Sequence, residues 1–249
     1  MLNQIAAIHG TGVTTPAPIA GSALWLDASD ASTFTFSSGT RVSEWRDKSG
    51  NARHMTQATS VSQPDRSATQ NGLSAVYFNV SNAEYFMRNT SYNWANSAFT
   101  MLCVVRPMTG EYTSYLGQDG AGYLQLGQDA SYPSILSISR ISQATASSNL
   151  TLAQNTTGQI TYKSAGVSSG SVTVQIYKSK VAASGTVTLG SLSTQAVTMI
   201  GGSRSDQAPG IFDNYGSGGY LCELLVYPSQ LSDTDRNQVE DYLIAKWGV

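Results

Sequence analysis

Acidic side chains are the first candidates for chemistry in this sequence. Hydrolysis of a glycosidic bond needs two carboxyl groups, one acting as an acid and the other as a nucleophile or base. No predicted strand carries two acids at alternating positions, and Glu223 is the single acid of its apolar segment. A hydrolase hypothesis would depend on Glu111, Asp119 and Glu223. We therefore predict no catalytic residues and a chain that is not an enzyme.

Other carboxylates fit turn chemistry better than catalysis. Asp27, Asp30 and Asp47 stand among Ser, Gly and Asn residues, where a short carboxylate accepts hydrogen bonds from nearby backbone N–H groups. Hard oxygen donors suited to calcium are also present, although no regular spacing connects them. These donors are Asp47, Asn51, Asp206, Asp213 and Asn214. We predict no metal site and no cofactor, with a structural calcium ion kept as an open alternative.

Sugar recognition has a better basis in composition. A tyrosine side chain can contact the apolar face of a sugar and hydrogen-bond its hydroxyls, and Asp and Arg satisfy further hydroxyls. The predicted glycan-binding residues are Tyr112, Tyr115, Asp119, Tyr123, Arg204, Asp206, Asp213 and Tyr215. An alternative interpretation is that these aromatic residues cover the ends of the fold or face a neighbouring subunit.

Composition excludes several classes of function. Only 12% of the 249 residues are charged, and the formal net charge is −2. This gives no basic surface for nucleic acid, and no apolar run has the roughly 20 residues of a membrane span. Residues 1–21 lack periodicity and the positive start of a secretory signal, so we predict an N-terminal arm there and one domain over residues 22–249.

The elements that would position these residues are mostly strands. Short apolar segments separated by Gly, Ser and Asn predict about a dozen strands, which include 74–78, 84–87, 99–106, 114–117, 123–127, 134–139, 159–164, 172–177, 196–200 and 220–227. Cys103 and Cys222 fall inside two of them as buried, reduced thiols, with a disulfide between them as the alternative if their strands are neighbours. The final strand is predicted at 220–227, with Leu221, Glu223, Leu225 and Tyr227 on one face. Pro228 ends it, and Ser232 begins a helix whose apolar stripe is Val239, Tyr242, Leu243 and Trp247, with Gly248 as its stop.

The two ends of this domain carry a resemblance. The opening, residues 24–57, reads LWLDASD and then W-x-D-x-SGN, and the closing, residues 219–249, has Lys-Trp-Gly just before its last residue. Both resemble the opening and closing of bacterial and phage concanavalin A-like (laminin-G-like) jelly-roll domains. The resemblance implies an all-β jelly-roll sandwich with one C-terminal helix. Glycosidases of that fold usually carry Glu-x-Asp-x-x-Glu on one strand, which this sequence lacks.

The start of the sequence, MLNQIAAIHGTG, resembles the leading segment of small tailed-phage virion proteins. The combined resemblances imply a non-enzymatic virion structural protein made in the host cytoplasm, a capsid decoration or a tail or fibre adhesion component. Leu2, Ile5, Ile8 and His9 would attach it to other virion proteins, and host-surface carbohydrate is a further predicted partner. We expect a homo-oligomer or many copies per particle, with no contact to nucleic acid or membrane. The alternatives are a bacterial lectin-like module that binds carbohydrate and a glycan hydrolase.

Overall fold

The structure is a computed structural model that describes residues 18–78, 87–95, 97–108, 113–118, 124–128, 134–140, 144–192, 197–201 and 218–249. Within these ranges the regular structure is almost entirely β, with one α-helix, α1, at Asp233–Trp247. The strands are β1 Leu24–Asp27, β2 Phe34–Ser38, β3 Arg41–Trp45, β4 Met55–Thr56, β5 Asp65–Gln70, β6 Leu73–Phe78, β7 Met87–Asn89, β8 Phe99–Pro107, β9 Thr113–Gln118, β10 Leu124–Gln128, β11 Ile135–Arg140, β12 Ala144–Thr151, β13 Gly158–Ser168, β14 Ser171–Lys178, β15 Val181–Ala182, β16 Val187–Leu189, β17 Thr198–Ile200 and β18 Gly219–Tyr227. The predicted all-β chain with a C-terminal helix is confirmed.

A first series of antiparallel strands runs in the order β14, β13, β8 and β18. The other edge of β18 pairs first with β6 and further along with β1, while β5 pairs with β6. Nearly every residue of β8 and β18 is buried, because both faces of these central strands are covered. Their sequences are accordingly apolar throughout.

A second antiparallel series contains β12, β11, β10, β9, β17 and β7. It faces the first series across a shared core, since the hydroxyl of Tyr162 on β13 donates to the carbonyl oxygen of Gly127 on β10 at 2.7 Å. Met101, Cys103 and Ile160 of the first series are fully buried in this core. Cys103 and Cys222 are both buried and free, as the sequence predicted.

A β-bulge interrupts β18 and changes which side chains share a face. Leu221 pairs with Val105 while Glu223 pairs with Val104, so Cys222 is an extra residue in the ladder. Side chains alternate between faces in a regular strand, and the bulge reverses that alternation once. The predicted faces of this strand are therefore wrong before the bulge: Tyr220 lies on the same face as Glu223.

Helix α1 covers part of that face. Ser232 begins it as predicted, since its hydroxyl accepts a hydrogen bond from the backbone N–H of Asp235 at 3.1 Å. Gly248 ends the helix in a left-handed conformation with φ of 67°. The predicted stripe is buried, and Glu240 bonds Thr161 of β13 at 2.6 Å. Among the helices of the described residues, none combines the length and the apolar character needed to cross a bilayer.

The C-terminal end of α1 is held by the hairpin between β5 and β6. The side-chain amide of Gln70 donates to the carbonyl oxygen of Trp247 at 3.0 Å, and that of Asn71 donates to the carbonyl oxygen of Lys246 at 3.0 Å. These two bonds satisfy carbonyl groups that the last turn of a helix leaves without intrahelical partners. The helix is thus fixed to the sheet at both its face and its end.

Candidate functional site

Two acidic residues from the ends of the domain meet beneath α1. Asp27 on β1 and Glu223 on β18 are cross-strand partners, and both are buried. The amino group of Lys246 lies 2.8 Å from Asp27 Oδ1 and 2.7 Å from Glu223 Oε2. We call Asp27, Glu223 and Lys246 the carboxylate cluster. It links the first strand, the last strand and the helix.

Aromatic donors occupy the remaining hydrogen-bonding positions of Glu223. The indole N–H of Trp25 and the hydroxyl of Tyr242 donate to Oε1 at 2.7 and 2.8 Å. The indole N–H of Trp247 donates to Oε2 at 2.8 Å. A carboxylate that is buried and accepts four hydrogen bonds has no free position for a substrate. The geometry therefore gives Glu223 a structural role.

The pKa values of the two carboxyl groups are shifted in opposite directions. Burial, with the nearby charge of Asp27, raises the pKa of Glu223 above its ordinary value. Burial alone would raise the pKa of Asp27 too, but hydrogen bonds from Lys246, Lys48 and Ser29 outweigh it and lower that pKa. A pair of carboxyl groups with one raised and one lowered pKa is typical of the acid and the base of a hydrolase. Here both groups are enclosed by α1 and its neighbours, so the difference between their pKa values is a result of packing.

Asp27, Asp30 and Asp47 accept hydrogen bonds from nearby backbone N–H groups, as predicted. Asp27 accepts from the backbone N–H of Ser29 at 3.0 Å, and Asp30 accepts from that of Ser32 at 3.1 Å. Asp47 accepts from three backbone N–H groups at 2.8 to 3.0 Å. The side-chain amide of Asn51 donates to backbone carbonyl groups. In the described part of the chain, no three His, Cys, Asp or Glu side chains are grouped to hold a metal ion.

Beyond the end of α1, the same face of the sheet carries two tyrosines and an arginine. Tyr220 on β18 pairs with Tyr77 on β6 on one side and with Arg106 on β8 on the other. The ring centroids of the two tyrosines are 4.9 Å apart, and the Arg106 guanidinium carbon lies 5.5 Å from the Tyr220 centroid. All three residues are half-buried. We call Tyr77, Tyr220 and Arg106 the tyrosine row.

The strand order shows how the tyrosine row is arranged. Because β18 lies between β6 and β8, Tyr77 and Arg106 flank the Tyr220 ring from opposite sides. Val104, which pairs with Glu223, lies two residues from Arg106, and two residues of a strand span about 7 Å. The tyrosine row is therefore a direct continuation of the surface that α1 covers.

Arg106 is the least satisfied cation of this face. Its Nε atom is buried without a hydrogen-bond partner. Among the described residues, its guanidinium forms no ion pair, and it lies over the Tyr220 ring in a cation–π contact. An unpaired, partly desolvated cation is costly, because hydrogen bonds to water are lost without replacement. The guanidinium therefore has capacity for an anionic partner.

A small cavity lies behind the tyrosine row, between the two strand series. It is lined by Phe78, Val105, Arg106, Pro107, Ser114, Tyr115, Gly201, Gly219, Tyr220 and Leu221, and its volume is about 20 Å³. A cavity of this size admits a water molecule but not a sugar ring. Gly201 has φ of 74°, and a Cβ atom there would meet the Phe78 ring at 2.1 Å. Glycine is therefore required for this close approach.

One of the predicted glycan-binding residues lies in the described part of the chain. Tyr115 is 4% exposed, its hydroxyl is buried without a hydrogen-bond partner, and burial raises its pKa well above the ordinary value. It contributes to the cavity rather than to an open surface. The predicted residues Tyr112, Asp119, Tyr123, Arg204, Asp206, Asp213 and Tyr215, and the predicted attachment residues Leu2, Ile5, Ile8 and His9, lie outside the described residues.

Sequence reasoning missed the tyrosine row. Tyr77, Arg106 and Tyr220 were placed in strands, but nothing local indicates that those strands are neighbours. The one available signal was that Tyr77, Arg106 and Tyr220 each lie near the end of an apolar strand that adjoins a Gly- or Asn-containing segment. That signal does not identify partners, because register between distant strands is set by the whole fold.

The fold is similar to that of solved structures of a sialidase and of arabinofuranosidases. The structure of Trypanosoma rangeli sialidase with the inhibitor DANA matches 90% of this chain at 13% identity, with a TM-score of 0.53. A GH54 α-L-arabinofuranosidase soaked with a cyclic sulfate inhibitor matches 92% at 14% identity, with a TM-score of 0.56. An arabinofuranosidase complexed with arabinofuranosyl-α-1,2-xylobiose matches 94% at 15% identity, with a TM-score of 0.54.

These likenesses concern the fold, because the identities are low. The matches cover 33% of the sialidase chain and 60 and 61% of the two arabinofuranosidase chains. No family model matches the sequence, and no curated protein matches it.

Two predictions are corrected by this comparison. We expected a non-enzymatic virion structural protein, in capsid decoration or tail adhesion, and a chain that is not an enzyme. Both predictions are wrong, since the solved proteins that share the fold are glycoside hydrolases.

Proposed function

We propose that this chain is a glycan-recognising domain of a carbohydrate-active protein, built as a concanavalin A-like jelly roll. The tyrosine row carries the proposal. It places two tyrosines and an arginine side by side, half-exposed, on the part of a sheet face that α1 leaves uncovered. The shared fold with glycoside hydrolases supports the carbohydrate class of ligand.

The chemistry of the tyrosine row suits a sugar. Tyrosine and arginine side chains join an apolar surface to hydrogen-bonding groups, and sugars present apolar C–H faces and hydroxyl groups together. Arg106 and Tyr77 hold the Tyr220 ring from both sides, so its orientation is set before any ligand binds. A preorganised site loses less conformational entropy on binding than a flexible one.

The cavity behind the tyrosine row does not compete for this role, because its 20 Å³ is too small for a sugar ring. Its buried Tyr115 hydroxyl has no hydrogen-bond partner. A water molecule in the cavity would supply one.

A glycan array followed by calorimetry tests the proposal. The Tyr77→Ala/Tyr220→Ala double variant should bind the selected glycan at least about tenfold more weakly, since an aromatic contact contributes on the order of 1 kcal/mol and two are removed. The matched control is Tyr177→Ala, a half-buried tyrosine on β14 that packs against Arg236 of α1. Equal affinity for the double variant and the unaltered protein, or no binding to any glycan, would overturn the proposal.

Glycan hydrolysis is the second candidate function, favoured by the fold match to sialidase and arabinofuranosidase chains. Glu223 is not available for it, because its oxygens are fully hydrogen-bonded beneath α1. The remaining acids of the hydrolase hypothesis, Glu111 and Asp119, lie outside the described residues. The hypothesis therefore depends on those two carboxyl groups.

Sugar release tests this second candidate. The protein is incubated with 4-nitrophenyl α-L-arabinofuranoside and with a sialylated oligosaccharide, and the released 4-nitrophenol or sialic acid is measured. An activity that falls at least about 100-fold in Glu111→Gln or Asp119→Asn, and is unchanged in the exposed control Glu44→Gln, supports hydrolysis. Activity that survives both substitutions, or no release from either substrate, contradicts it.

A further inference from the structure

Arg106 of the tyrosine row, which forms no ion pair with any residue that the structure describes, points to the class of sugar. Arg106 is half-buried, and its buried Nε has no hydrogen-bond partner. Since Nε does not reach solvent, the part of the guanidinium available to a ligand is its outer Nη edge. No described carboxylate neutralises it: Glu223, the nearest acid along this face, is bound by Lys246 and three aromatic donors.

Charged residues on the opposite side of the tyrosine row differ from Arg106, because they have partners. On the other side of Tyr77 the next cross-strand partner is Asp65 on β5, which pairs in turn with Arg41 on β3. Asp65 accepts a hydrogen bond from Thr40 at 3.0 Å, and Arg41 donates to the carbonyl oxygen of Ser60 at 2.7 Å. Asp65 and Arg41 thus carry opposite charges on paired residues, and each side chain forms a hydrogen bond. Arg106 is thus the one uncompensated cation among the described residues of this cross-strand line.

We infer that the tyrosine row binds a sugar bearing a carboxylate, with the carboxylate on the Nη edge of Arg106 and the ring and hydroxyls against Tyr220 and Tyr77. This inference rests on the proposed function and narrows it to acidic glycans. A guanidinium and a carboxylate form two parallel, charge-assisted hydrogen bonds, and the planar fork of arginine fits this arrangement better than the point charge of lysine. The Tyr220 ring holds the guanidinium in place through a cation–π contact.

The test compares three probes by calorimetry: α-1,4-linked trigalacturonate, its methyl ester and the corresponding neutral galactose oligomer. A parallel array carries sialylated and sulfated glycans, so that the source of the anionic group is distinguished. The carboxylated probe should bind at least about tenfold more tightly than its methyl ester, because a hydrogen bond to a charged group is worth roughly 1.5 to 3 kcal/mol. If sialylated glycans are the ones retained on the array, the sialoside and its methyl ester replace the uronate pair.

Variants of Arg106 test whether the preference for the carboxylated probe depends on the tyrosine row. Arg106→Gln should weaken binding of the carboxylated probe about tenfold to 100-fold and leave the neutral probe unchanged. Arg106→Lys should restore part of the affinity but not all, because one charge remains and the bidentate geometry does not. Lys180→Gln, which removes one exposed positive charge in the turn after β14, should have no effect. Thermal melting of each variant confirms that it is folded.

The outcomes separate this inference from the proposed function. Binding of neutral glycans that depends on Tyr77 and Tyr220 but not on Arg106 would overturn the inference and retain the proposed function. A preference for sulfated over carboxylated glycans would overturn the carboxylate assignment. Binding that no substitution in the tyrosine row affects, or no binding to any glycan, would overturn both.

Discussion

Strand β18 carries two polar regions on one face, and they are built in opposite ways. In the carboxylate cluster the buried Glu223 accepts four hydrogen bonds, and Lys246 joins it to Asp27. In the tyrosine row Arg106 is half-exposed, and its Nε has no partner. Buried polar groups that stabilise a fold are satisfied within it. A polar group left incomplete at the surface is a better candidate for binding something else.

The largest expected effect is at Glu223. The substitution Glu223→Ala leaves Lys246 and three aromatic donors without their acceptor, so the free energy of unfolding should fall by about 4 kcal/mol. Urea denaturation measures it, with Glu44→Ala as the control. Glu44 pairs with Arg46 at an exposed site, and its loss should cost less than about 0.5 kcal/mol. A loss below about 1 kcal/mol for Glu223→Ala would contradict the structural role of the cluster.

Lys246→Met tests the same cluster through pH. It removes the cation between two buried carboxyl groups, and at pH 7 it should cost about 3 kcal/mol. Removing the cation raises both folded-state pKa values, and a carboxyl group whose folded pKa is above its unfolded pKa loses stability as pH rises between the two. The cost should therefore shrink as pH falls toward 4, where protonated carboxyls need no cation. Urea denaturation at pH 4, 5, 6 and 7 checks this, and a cost independent of pH would be the contrary result.

The unaltered protein should show the opposing contributions of its two carboxyl groups. The lowered pKa of Asp27 gives stability that is present above its unfolded value of 3.8 and is lost as pH falls through the folded pKa. The raised pKa of Glu223 has the opposite pH dependence: the stability that it gives is present below pH 4.5 and is lost as pH rises through the folded pKa. In Asp27→Asn, the decline of stability below pH 4 should be shallower than in the unaltered protein, as measured by thermal melting. An unchanged decline would assign the acid sensitivity to other groups.

A smaller effect is expected at Ser232, the first cap of α1. Ser232→Ala removes the acceptor for the Asp235 N–H and should cost about 1 kcal/mol. Because the helix covers the carboxylate cluster and not the tyrosine row, glycan affinity should be unchanged. Ser232→Asp is the matched control and should retain the cap. A loss of affinity in Ser232→Ala would show that the two regions are coupled.

The smallest effect on stability is expected at Arg106. Arg106→Gln removes a cation that has no ion-pair partner in the described part of the chain, and it also removes the contact with Tyr220. These changes oppose each other, so the free energy of unfolding should change by less than about 1 kcal/mol. The contrast with Glu223→Ala, measured under the same conditions, decides whether Arg106 serves the fold or a ligand. A loss of about 3 kcal/mol in Arg106→Gln would show that it serves the fold.

The sequence predicted the parts of the fold that depend on local chemistry. Ser232 and Gly248 bound the helix because capping and positive φ are properties of single residues. The continuous apolar run at 99–106 predicts a strand, and the structure has β8 at Phe99–Pro107. In contrast, β5 and β12 were missed, since Asp65–Gln70 and Ala144–Thr151 are polar and half-exposed strands that form because their neighbours pair with them.

The candidate site was less predictable for the same reason. Tyr77 and Tyr220 are remote in sequence, and their contact depends on the pairing of β6 with β18. The prediction instead selected tyrosines in Gly-rich segments, of which Tyr115 lies in the interior. Local composition indicated the chemistry of sugar binding but not its place.

The extra residue Cys222 has a consequence for insertions and deletions in this chain. Deleting it would restore regular alternation in β18, and the ladder to β8 could still form. Tyr220 and Glu223 would then stand two positions apart in a regular strand, so both side chains would keep the face that they share in this structure. A one-residue deletion at this point should therefore leave both polar regions in place, and relatives that lack the extra residue would still be able to present the same surface.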